Sequence, residues 1–142
     1  MFIKQISIFA ENRTGAIMEI TAALRDANVN IRALSIADTT DFGIVRLIVD
    51  KTDEALKALR NKGVTVVETD VIAVSVGDAP GSFHQALEAL QAGDIMIEYS
   101  YAFVTPVGGG ATVILRCREQ EQAARLLENK GLRLLEQSDI KY

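Results

Sequence analysis

Apolar residues recur along this chain with two different periods. Ile17, Ile20 and Leu24 share one helical face, and Phe83, Ala86, Leu87 and Leu90 fall at i, i+3, i+4 and i+7. Two shorter stripes follow, Ala55-Leu56-Leu59 and Ala123-Ala124-Leu127. β-Branched runs such as Ile44-Val45 and Ile48-Val49 suit a pleated sheet. The pattern predicts strand 2–9, helix 15–27, strands 30–37 and 43–49, helix 52–61 and strand 64–68. The same order then returns as strand 71–76, helix 81–91, strands 95–104 and 111–117, helix 119–129 and strand 132–136.

Short identities mark the same repetition. Asn61-Lys62-Gly63 recurs as Asn129-Lys130-Gly131 at an offset of 68, each time after a helical stripe and before a β-like run. Arg13-Thr14-Gly15-Ala16-Ile17 aligns with Ala79-Pro80-Gly81-Ser82-Phe83 at an offset of 66. The two-residue difference falls in the glycine-rich loop 107–110, where insertion costs little. Each half reads β-α-β-β-α-β. Right-handed crossovers then put both helices on one face of a four-stranded antiparallel sheet. The expected class is α+β, with two tandem ferredoxin-like repeats covering 1–69 and 70–142. Residues 64–76 run almost without a break, so the last strand of one repeat passes straight into the next, and the halves are expected to pack as one body.

The turns before the first helix of each repeat carry the candidate chemistry. A helix start leaves up to four backbone N–H groups without internal partners and adds positive potential. Gly15 and Gly81 open their helices with no side chain in the way, so a carboxylate is a natural guest. Phosphate cradles bring more glycines or a lysine, which neither turn has. The commoner role of such a turn is capping, here by Asn12 or Asp78, with about 1 kcal/mol of stabilisation. Both readings stand on the turn alone.

Composition narrows the function classes. Nineteen acids against fifteen bases give a net charge of −4, the wrong balance for a generic nucleic-acid binder. No leader pattern or spanning apolar run appears, so a cytoplasmic chain without membrane contact is expected. One cysteine, Cys117, suits a reducing compartment and reads as a buried filler. With one histidine, His84, a zinc site of four such ligands cannot be assembled in one chain, and His84 reads as a surface residue beside core-facing Phe83. No nucleophile elbow or nucleotide loop is present, and no cofactor is expected. Tyr99 and Tyr101 share one strand face and read as packing or interface residues rather than base-stacking ones.

The doubled β-α-β-β-α-β unit, with Asp78-Ala79-Pro80-Gly81 opening the third helix, resembles a tandem pair of ACT domains, small regulatory modules that bind amino acids. Residues 11–15, Glu-Asn-Arg-Thr-Gly, followed by Val29-Asn30-Ile31, resemble the serine-sensing regulatory domain of phosphoglycerate dehydrogenase. The resemblance implies that Asn12 and Asn30 contact an effector from neighbouring ACT units; the matching positions in the second repeat are Asp78 and Met96. It departs from that pattern at Ala10, where a histidine is usual, and at Thr14, where proline is usual. The candidate ligand-binding residues are therefore Asn12 to Ile17, Asn30, Asp78 to Phe83 and Met96. The expected protein is a non-catalytic amino-acid sensor and a homodimer. The alternatives are a regulatory small subunit of an enzyme partner such as acetolactate synthase and, more distantly, an acylphosphatase-like enzyme using Arg13 and Asn30.

Overall fold

The computed structural model describes residues 1–11, 13–38, 42–103 and 110–140. They form β1 (Ile3–Glu11), α1 (Ala16–Asp26), β2 (Ile31–Asp38), β3 (Phe42–Val49), α2 (Thr52–Asn61), β4 (Thr65–Val76), α3 (Ser82–Ala92), β5 (Ile97–Ala102), β6 (Ala111–Cys117), α4 (Gln120–Asn129) and β7 (Arg133–Leu134). A single 3-10 turn, Gln137–Asp139, follows. The class is α+β with two ferredoxin-like repeats. The runs 64–68 and 71–76 form one twelve-residue strand, β4, as their near-continuity implies.

Two compact units result, residues 4–69 and residues 70–140, the latter joined by Met1–Ile3. In the first unit the hydrogen-bonded order is β2-β3-β1-β4; in the second, β7 pairs with β4, and β4-β6-β5 follow. Both orders are the 2-3-1-4 arrangement that antiparallel β-α-β-β-α-β connections produce. Register makes the repetition quantitative. Ile6 pairs with Leu47, Ile8 with Val45 and Ala10 with Gly43; at the same offsets Ile72 pairs with Leu115, Val74 with Val113 and Val76 with Ala111.

Each unit has its own core on the helix-bearing face of its sheet. In the first, Ile6, Ile8, Val45 and Leu47 meet Ile20, Leu24, Leu56 and Leu59. In the second, Ile72, Val74, Leu115 and Cys117 meet Ala86, Leu90, Ala124 and Leu127. Alternate strand positions supply one layer and the helical stripes the other, and burial of each large apolar side chain stabilises by about 1.5–3 kcal/mol. Phe83 departs from its expected core position: it is 37% exposed, and the buried face of α3 is Ala86, Ala89 and Leu90. Its counterpart at an offset of 66, Ile17, packs against the first core, whereas Phe83 is absent from the second, whose α3 face is built from small alanines and Leu90. His84 is exposed, 4.0 Å from Glu88. Tyr99 and Tyr101 are half-buried along with Ile97, in strict alternation with exposed neighbours.

Candidate functional site

The two repeats open their first helices with the same backbone. Gly15 has φ 91° and ψ −10°, and Gly81 has φ 84° and ψ −1°. Both are left-handed, a conformation that costs an L side chain about 1–2 kcal/mol, which explains the glycines. One bond closes each turn: Ala16 N–H donates to Arg13 O at 3.3 Å, and Ser82 N–H to Ala79 O at 3.1 Å. The next amide with a partner lies three residues on, Glu19 N–H to Gly15 O at 3.0 Å and Gln85 N–H to Gly81 O at 3.2 Å. The amides between, on Ile17 and Met18 and on Phe83 and His84, have no partner among the described residues. Neither helix has a side-chain cap. The capping alternative therefore fails for Asp78; Asn12 lies outside the described residues. An uncapped start with two free amides and the positive end of a dipole can receive a carboxylate.

The surroundings of the two starts differ. Arg13, Thr14 and Gly15 are exposed, Ile17 is half-buried and Ala16 is buried. Asp78, Ala79, Pro80 and Gly81 are exposed, with Ser82 half-buried. Over α1, Arg13 grips Glu19 through two bonds, Nη2 to Oε2 at 2.6 Å and Nη1 to Oε1 at 3.2 Å. Glu11 stands 3.8 Å from Arg13 Nε. The mutual hydrogen bond raises the pKa of Arg13 and lowers that of Glu19, and both side chains lie in solvent, where salt screens them. A cavity of about 650 Å³ opens beside this turn, within the 4–69 unit.

The strand-entry candidates lie elsewhere. Asn30 exchanges bonds with Asp50, its N–H donating to Oδ1 at 2.9 Å and its carbonyl accepting from Asp50 N–H at 3.1 Å. Met96 O accepts from Arg118 N–H at 3.1 Å in the matching place. Glu11, at the turn, is level with Phe42, whereas Ile31 is level with Val49 at the far end of β3. Seven residue steps at strand rise separate them, about 23 Å. Within one unit the structure thus gathers residues 13–17 or residues 78–83 at a helix start and leaves Asn30 or Met96 at the opposite end.

The doubled topology, the matched registers and the paired glycine starts meet a family model, that of the ACT domain pair, over residues 1–142. The chain belongs to the ACT domain pair family. Among solved structures, protein BT0572 from Bacteroides thetaiotaomicron is similar to this ACT pair at 38% identity and a TM-score of 0.91, covering 99% of this chain and 96% of that one. The regulatory subunit of aspartate kinase from Thermus thermophilus, in its ligand-free form, aligns at 18% identity and a TM-score of 0.62, covering 89% and 91%. The aspartokinase alpha and beta subunits align at 18% identity and a TM-score of 0.54, covering 92% and 96%. At that identity the last two share the fold. No curated protein matches.

Other candidates for chemistry in the ACT pair resolve simply. Cys117 is buried in the second core, and burial, with Glu98 adding to it, pushes its thiol up to about 11. A neutral thiol is a poor nucleophile. Among the described residues no group of three or more His, Cys, Asp or Glu could hold a metal ion, and no helix is long and apolar enough to cross a membrane.

Proposed function

We propose that this ACT pair is a non-catalytic regulatory protein that binds a free amino acid at its glycine-opened helix starts. One observation carries the reading: α1 and α3 both begin at a left-handed glycine and, among the described residues, have no side-chain cap and present two unpartnered amides. The effector's carboxylate would accept from those amides, at residues 13–17 in one repeat and 78–83 in the other. Its ammonium would donate to Asp78 or Asn12, and to Asn30 presented by a separate ACT unit of the assembly, since turn and strand entry stand at opposite ends of each unit. Met96 would supply only its apolar side chain in the corresponding place. Hydrogen bonds to charged groups contribute about 1.5–3 kcal/mol each, and after association costs a net of roughly −4 to −8 kcal/mol corresponds to micromolar to millimolar affinity.

A homodimer fits this scheme. β2 is the edge strand of its unit, with Leu34 37% and Ile36 54% exposed. Effector binding regulates by favouring one state of the assembly over another. The likeness to a regulatory subunit of aspartate kinase favours a second reading, in which this chain regulates a separate catalytic partner. Co-purification with an enzyme chain separates the two.

The test is a thermal-shift screen against the twenty amino acids, with L-serine as the arm that examines the phosphoglycerate dehydrogenase resemblance. A saturating effector raises the melting temperature by mass action. Asp78→Ala should weaken a bound amino acid at least tenfold by calorimetry; a screen with no shift for any amino acid removes the proposal.

A further inference from the structure

The cavity beside α1 is not explained by the helix-start contacts. Its lining includes Arg13 and Ala16 but neither Ile17 nor Met18, whose amides face the helix end, and it extends to Lys62, Gly63 and Thr65 where α2 gives way to β4. At about 650 Å³ it falls within the range of small-molecule sites.

The duplication supplies an internal control. At offsets of 66 and 68, fixed by the strand registers, Phe9, Glu11, Arg13, Glu19 and Phe42 become Ser75, Gly77, Ala79, Gln85 and Gly110. The framework of the cavity is kept: Leu59 becomes Leu127, Lys62 becomes Lys130 and Gly63 becomes Gly131. The second repeat builds the same fold without the two aromatics, the two glutamates or the arginine. The shared topology therefore does not require those five side chains, and Phe9 at 44% and Phe42 at 55% exposure lie outside the first core.

Their chemistry is mixed. Glu19 is already neutralised by Arg13, and Asp26 by Arg25 at 3.0 Å. Two charges are left, one of each sign. Lys62 has no side-chain partner among the described residues, and Glu11 has only the long 3.8 Å approach to Arg13. Phe9, Phe42 and Ile20 supply apolar surface in the same cavity. We infer that the cavity of the first repeat is a second ligand site, which takes a zwitterionic amino acid with an aromatic or branched aliphatic side chain. The carboxylate goes to Lys62, the ammonium to Glu11 and the phenylalanine faces, and the side chain to the apolar wall. The inference shares the ligand class of the proposed function but not its contacts.

The experiment is calorimetry with L-phenylalanine and L-leucine on the full chain, repeated with phenethylamine and phenylpyruvate, each lacking one charge. The expected result is binding of the two amino acids, weakened at least tenfold in Lys62→Ala and in Phe42→Gly and unchanged in Lys130→Ala, with circular dichroism showing all variants folded. Loss of either ligand charge should weaken binding at least tenfold. If binding is lost in Asp78→Ala but indifferent to Lys62→Ala and Phe42→Gly, the helix-start reading stands and the cavity site falls. If phenylpyruvate or phenethylamine binds as tightly as L-phenylalanine, or L-serine binds more tightly than L-leucine with an affinity that falls in Lys62→Ala, the ligand class assigned here is overturned. If no amino acid binds, both readings fall.

Discussion

The two repeats are copies in backbone and strangers in chemistry. Their strands pair in the same register, and their first helices start at glycines only 7° apart in φ (91° and 84°). Yet one start carries the exposed Arg13–Glu19 pair beside an aromatic-walled cavity, while the other exposes Asp78 and Pro80. A duplicated fold holds its core constant because both copies must bury the same stripes. The exposed residues of its helix starts, 13–15 and 78–81, are free to diverge, since they lie outside both cores.

The comparison can be broken hardest at the cores. Leu59 and Leu127 are equivalent and fully buried, so Leu→Ala at either should cost about 2–5 kcal/mol in chemical denaturation. Similar losses at both sites would show the cores equivalent in energy as in geometry. At the helix starts, Gly15→Ala and Gly81→Ala each impose a left-handed alanine at a cost of about 1–2 kcal/mol. A Cβ at either position meets nothing within 4 Å, so the two should match. Gly110→Ala should be worse, since its Cβ would meet Val76 O at 2.9 Å as well as sit at φ 98°.

Cys117 offers a contrast in pH dependence, because the first repeat has no cysteine. Its folded pKa is raised to about 11 from an ordinary 9.0, so the folded state holds the proton more tightly. Stability is unaffected below about pH 9 and declines as pH rises from there towards 11, because the unfolded state ionises first. Cys117→Ala should flatten that decline in denaturation curves, and iodoacetamide should label the native thiol far more slowly than the unfolded one. The smallest effect is expected at Arg13→Ala: the pair it breaks is exposed, so thermal stability should not change measurably.

Much of the fold was legible because hydrophobic period is a local property. Helix 52–61 and strand 111–117 coincide with α2 and β6 residue for residue, and the tripeptide at 61–63 and 129–131 exposed the duplication. Phe83 departs from the expectation because helical spacing gives the face a residue shares and not whether its side chain is covered, as the packed Ile17 at the equivalent position shows. At the site, the glycine starts were readable, but their lack of caps was not, because Asp78 is a common capping residue and only coordinates show where its oxygens go. Lys62 marks the repeat in the sequence, but its place on the cavity wall depends on where the end of α2 meets the rest of the unit, which no local period encodes. Aligning the two halves by offset and asking where charge is kept in one and lost in the other would have singled out Glu11, Arg13 and Glu19.

Sequence by itself determined the order of elements, the duplication and the glycines that open α1 and α3, since each follows from local period or from backbone conformations that only glycine adopts cheaply. Tertiary structure decided which end of each unit a residue occupies. Arg13, Glu19 and Lys62 come together from the start of one helix and the end of another, while Asn30 is carried about 23 Å from the turn by the length of a strand. Such distances are set by how strands pair and helices cross over them, and no local pattern encodes them.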